Sequence, residues 1–197
     1  MAIRQFKDFA TTKAYVDGGE QLPRGAYVCK IIGAKTEDGE YGQYVKIAFD
    51  IEEGDYAGYY KQRYDSNTNE DKKWPGVFLL NVPLDDGSDK DGWTKRRFRT
   101  FTDALEEANP GYHFDWDETK FKDKIVGIVF NYREYMKSDG DTGMAPNAAY
   151  ACTVKSVREG SVKIPNDKML KNKGSRTHSS APSINDYVNN TEPELNF

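Results

Sequence analysis

Gln43–Gly54 reads QYVKIAFDIEEG, and its alternation decides the fold class. In an extended chain Val45, Ile47, Phe49 and Ile51 fall on one side, and Tyr44, Lys46, Ala48 and Asp50 on the other. A period of two sends one set to a core and the other to water. The segment therefore reads as a strand, and Glu52–Gly54 opens a turn. Upstream, LPRGAYVCKIIGAK (22–35) starts a strand near Ala26, after Pro23 and Gly25. TEDGEYG (36–42) joins the two, with Asp38-Gly39 as a hairpin signal. Downstream, YYKQRYD (59–65) reads as a third strand, which completes a meander.

Residues 65–95 read as irregular, although WPGVFLLNVPLD (74–85) carries apolar side chains. In KRRFRTFTDALEEANPG (95–111), Phe98, Phe101, Leu105 and Ala108 recur at helical spacing. Thr100 with Asp103 resembles a cap, and Asn109-Pro110-Gly111 is a stop. KIVGIVFNYREYM (124–136) reads as a strand, SDGDTGMAPN (138–147) as a loop and AAYACTVKSVREG (148–160) as a final strand. The order predicts a mainly β domain: a five-stranded OB-like barrel with one helix between strands 3 and 4. An open α+β sandwich satisfies the same order. Residues 1–22 read as an N-terminal arm, 23–165 as the OB-like domain and 166–197 as a disordered tail with an acidic end.

Across 197 residues, 37% are hydrophobic and 30% charged, so long polar segments surround one core. The 13 Tyr, 10 Phe and 3 Trp, set among so many charges, suit flat, wet contacts as well as a core. No apolar run reaches the roughly 20 residues of a membrane helix, and MAIRQFKDF is too polar for a signal region. A cytoplasmic protein without membrane contact is expected. Cys29 and Cys152 sit in apolar strands and are expected as buried, reduced thiols. Net charge is −4, which argues mildly against nucleic acid, but acidic loops can hide a basic face.

No phosphate-loop or dinucleotide motif is present, and GSDKDG departs from a calcium loop at Gly87 and Phe98. No catalysis, cofactor or metal is expected. Interleaved rings and cations point instead to nucleic acid: Tyr59, Lys61 and Arg63 on the third strand; Trp93, Lys95, Arg96 and Arg97 just before the helix; Arg133, Tyr135 and Lys137 on the fourth strand; Tyr44 and Lys46 on the second. Such surfaces stack unpaired bases and neutralise phosphates without reading sequence. Trp74 and Pro75 read as a loop anchor. Two other functions fit the same chain: a module that binds or inhibits a host protein, and a small metal-dependent nuclease built on the loop carboxylates.

The runs LPRGAYVCKI, GQYVKIAFDIEEGDYAGYY, FTDALEEANPGYHFDWDE, FKDKIVGIVFNYREY and VREGSVKIPNDK together span 22–168. They resemble phage-encoded single-stranded DNA-binding proteins of Gram-positive hosts. The resemblance implies an OB fold, sequence-independent binding of single-stranded DNA in phage replication or recombination, and residence in the host cytoplasm. The last residues, TEPELNF, are similar to the acidic, Phe-terminated tip of bacterial single-strand binders, with Asn196 where proline is common. By that likeness Glu192, Glu194, Leu195 and Phe197 are expected to engage replication or recombination proteins. Homo-oligomer formation is compatible with this reading.

Overall fold

The computed structural model describes residues 7, 9, 10 and 21–170. Most of the expected arm and the tail beyond 170, with Glu192, Glu194, Leu195 and Phe197, lie outside the described residues. In chain order the elements are β1 (Gly25–Gly39), β2 (Gly42–Ile51), α1 (Tyr59–Ser66), β3 (Val77–Asn81), α2 (Asp89–Ala108), β4 (Ile125–Met136), β5 (Thr142–Cys152) and α3 (Val154–Arg158). The fold is mainly β, with five strands and a long helix between the third and fourth.

The strands form one antiparallel sheet in the order β3-β2-β1-β4-β5. β1 is long enough to serve two partners. Gly25–Lys30 pairs with β4, and Cys29–Gly39 with β2, with a register shift between Ile31 and Gly33. The sheet is not closed into a barrel: among the described residues nothing pairs β3 with β5. Instead α2 packs on β3, β4 and β5 and fills the space between the two free edges.

The alternation in β2 holds as expected, with Val45, Ile47, Phe49 and Ile51 all buried. Each such side chain removed from water stabilises by about 1.5–3 kcal/mol at most. Phe98, Phe101 and Leu105 of α2 complete the core. Phe101 stacks on Phe78 of β3, with ring centroids 6.1 Å apart.

Three local assignments are corrected. First, YYKQRYD is helical, and the third strand is VFLLN within the stretch expected to be irregular. The cause is a cap supplied from β2: Asp50 accepts from the amides of Tyr60 (2.9 Å) and Lys61 (3.1 Å), satisfying the first turn of α1. Second, α2 begins at Asp89, where Ser88 accepts from the Asp91 amide at 3.1 Å. Trp93–Arg97 therefore lies inside the helix rather than before it, and Thr100 is not its cap. Third, β5 starts at Thr142 inside the expected loop, and the chain after it turns helical at α3, capped by Thr153. Cys29 and Cys152 are both free, the first buried and the second half-buried.

Candidate nucleic-acid interface

β3 separates two concavities. Its inward side chains, Phe78 and Leu80, floor a pocket of about 440 Å³ in the unclosed seam. Its outward ones, Val77, Leu79 and Asn81, line a groove of about 810 Å³ on the other face.

The seam pocket is assembled from five segments, β3 among them. One wall is α2, which presents Trp93, Arg97 and Thr100 at intervals of four and three, a single helical face. The opposite wall is Ala149–Ala151 of β5. The third side is a strap, residues 165–170, held against β4. Lys168 donates its amide to Tyr132 O and accepts from the Glu134 amide, both at 2.8 Å. Leu170 N donates to Glu134 Oε2 at 3.1 Å. The floor contains Asn131, whose amide donates to Asn166 O (2.6 Å) and accepts from Asn147 (2.7 Å).

Charge in this pocket is one-sided. Arg97 and Lys168 line it, and among the described residues no carboxylate does. Arg97 donates to Ala149 O at 2.6 Å, which fixes the guanidinium at the wall. Loss of hydration, then the neighbouring Arg97 and Arg133, push the Lys168 ammonium below its ordinary range. Arg97 and Lys168 thus share one rim, and Arg133 pairs with Lys168 across an isolated bridge just outside the lining, an arrangement that attracts an anion. Trp93 is 66% exposed, and the Arg96 guanidinium lies 5.6 Å from its ring centroid.

The outer groove has a similar mixture of residues and different electrostatics. Tyr44, Lys46, Lys73 and Lys90 line it, but so do Glu40, Asp86 and Asp91. Tyr44 donates to Glu37 at 2.7 Å, and Lys46 lies 4.0 Å from the same carboxylate. Burial first, then the Glu37 bond, pushes the Tyr44 hydroxyl up to about 12. Lys90 sits over the Tyr41 ring at 5.3 Å. Trp74 is the loop anchor that its sequence setting suggested: its indole donates to Phe49 O at 2.9 Å.

The structure brings Trp93, Arg96 and Arg97 together at the seam, with Arg133 close to Lys168. Lys95 is separated from them by the helical turn and is paired with Asp85 and, at 3.0 Å, with Asp91. Tyr59, Lys61 and Arg63 do not share an outward strand face. On α1, Arg63 stacks 5.5 Å from the Tyr59 ring centroid and donates to its hydroxyl, while Lys61 pairs with Asp65 at 2.6 Å. Tyr135 lies across Gly143, and Lys137 is in the β4–β5 turn, roughly 13–20 Å along the strand from Asn131. Sequence reasoning missed Tyr150, Asn131 and Lys168. Lys168 fell in the segment read as tail, and only the KIPNDK run hinted that order continues past 165.

Among the described residues no helix is long and apolar enough to cross a membrane. No group of three or more His, Cys, Asp or Glu side chains is arranged to hold a metal among the described residues. No protein-family model matches the sequence, and no curated protein is significantly similar to it.

Proposed function

We propose that this protein binds single-stranded DNA without sequence preference, in phage DNA replication or recombination, and that the seam rim is its principal contact. The observation that carries the reading is the pair Arg97 and Lys168, backed by Arg133 beside Lys168, with no carboxylate among the described residues that line the pocket, next to the exposed Trp93. Phosphates release counterions when they meet such cations. A ring stacks only on a base that is not already paired, so single strands are preferred. The test is fluorescence anisotropy with labelled single- and double-stranded oligonucleotides across a salt series. Tighter binding of the single strand and a steep loss of affinity with salt are expected. Equal affinity for both forms, or no binding at low salt, overturns the reading. Adding Mg²⁺ or Mn²⁺ to the same mixture leaves the strand intact if the protein is a binder and cuts it if it is a nuclease.

A second reading, a module that binds a host protein, is favoured by the outer groove. Leu79 is 55% exposed and Leu84 60%, beside Tyr41, with acids and lysines in balance. An apolar strip with mixed charge suits a protein partner better than a polyanion.

A further inference from the structure

We infer that the seam pocket is a mononucleotide site, an open-mouthed recess floored by the core that takes one base out of the line of a strand and holds its phosphate at the rim. The inference rests on the nucleic-acid reading for its choice of ligand; its geometry is independent of it. Phe78, Leu80, Asn131 and Ala151 are all buried and form the floor, so the recess ends on the core and no strand passes through it. Its volume of about 440 Å³ lies in the range of roughly 300–1,000 Å³ that accommodates one small ligand.

Its chemistry divides as a nucleotide does. Trp93, Tyr150, Ala149 and Pro165 offer ring and apolar surface for a base, while Arg97 and Lys168 offer charge for a phosphate. Arg97 donates to Ala149 O through one nitrogen; the guanidinium fork has further donors for phosphate oxygens. Two of the neutral polar side chains in the lining, Thr100 and Asn131, are engaged within the protein, while the Asn166 amide is exposed at the mouth. Thr100 donates its hydroxyl to Arg96 O at 2.9 Å, and Asn131 is held between Asn147 and Asn166. Base edges therefore meet few groups able to tell them apart, so the recess accepts different bases with similar affinity.

Isothermal titration of the full chain with thymidine monophosphate, thymidine and inorganic phosphate tests this, with oligo(dT) of about 20 nucleotides alongside. The monophosphate is expected to bind one to one. Thymidine and phosphate alone are each expected to bind at least about tenfold more weakly, since each offers half the contacts. Arg97→Ala with Lys168→Ala is expected to lower monophosphate affinity by at least about tenfold, and Lys120→Ala, at an exposed lysine paired with Asp115, to leave it unchanged. Trp93→Ala, at an exposed ring whose loss spares the core, provides the same test if the double variant does not fold. The inference fails if the monophosphate binds no better than phosphate, or if both the folded double variant and Trp93→Ala bind it like the parent. Oligonucleotide binding without monophosphate binding removes the pocket and leaves the single-strand reading. Monophosphate binding without oligonucleotide binding does the reverse.

Discussion

The two concavities flanking β3 both set tryptophan, tyrosine and leucine side chains beside cations, yet they differ in what the cations face. In the outer groove the lysines share the walls with Glu40, Asp86 and Asp91, and Glu37 lies behind Tyr44 and Lys46. In the seam Arg97 and Lys168 face each other and Arg133 stands behind them. Paired surface charges contribute little to stability and little to anion capture. Unpaired cations gathered at a rim hold a positive potential that a phosphate relieves. Counting Lys, Arg and Tyr along a chain cannot separate these cases, because the difference lies in where the carboxylates are.

The largest effect should come from emptying one side of the comparison at a time. Arg97→Ala with Lys168→Ala is expected to weaken single-strand binding about 10- to 100-fold and to flatten the logarithmic salt slope by roughly 2. Lys46→Ala with Lys73→Ala should change affinity by less than about threefold, because carboxylates line the same groove. Equal losses measured by anisotropy would erase the distinction between the two faces.

The tryptophans sharpen it. Trp93→Ala should cost about 1–3 kcal/mol of binding, the range for one stacked base, with no change in urea midpoint. Trp74→Ala should do the opposite: it removes a half-buried ring and its bond to Phe49 O, costing about 2 kcal/mol of stability with binding intact. If Trp74→Ala abolishes binding in a folded protein, the outer groove is the interface.

The smallest effect concerns Lys168 alone. Its depressed pKa means that the folded state holds this proton less tightly than the unfolded chain does. The penalty is complete below the folded value and is relieved as pH rises through it toward the unfolded lysine value of about 10.4. Lys168→Gln should therefore raise the melting temperature slightly at neutral pH and low salt. The gain should fade in high salt and at alkaline pH, while DNA affinity falls. A melting temperature that drops instead would show that the lysine stem, not its charge, dominates there.

Much of the sheet was legible because its signals are local. The β2 alternation, the Asp38-Gly39 turn region and the Phe98–Leu105 spacing each specify an element without help from elsewhere. The third strand was not legible, because the cap that makes YYKQRYD a helix is Asp50, on β2. With that segment helical, the strand role passes to VFLLN, whose inward Phe78 and Leu80 complete the face that α2 covers. Of the site, the Trp93–Arg97 run was visible as composition. Its division into a seam-lining Trp93 and Arg97, an Arg96 laid over the Trp93 ring and an acid-paired Lys95 required knowing that the run is helical. Lys168 was out of reach, since its place depends on strap bonds to Tyr132 and Glu134.

The sharing of β1 between two partners has a kinetic consequence. Its far half meets β2 through a tight turn, and β4 meets β5 through another, so both hairpins can form on the microsecond scale. The near half of β1 must find β4 with Gly25 opposite Phe130, more than a hundred positions later. That closure carries most of the loop entropy, so it sets the folding rate. The seam pocket takes one wall from α2 and part of its floor from β3, and the rest from β4, β5 and the strap, on the other side of this late step. It therefore comes into being only when the two hairpins dock, and any ligand it holds acts as a latch on the last event of folding, slowing unfolding more than it speeds folding.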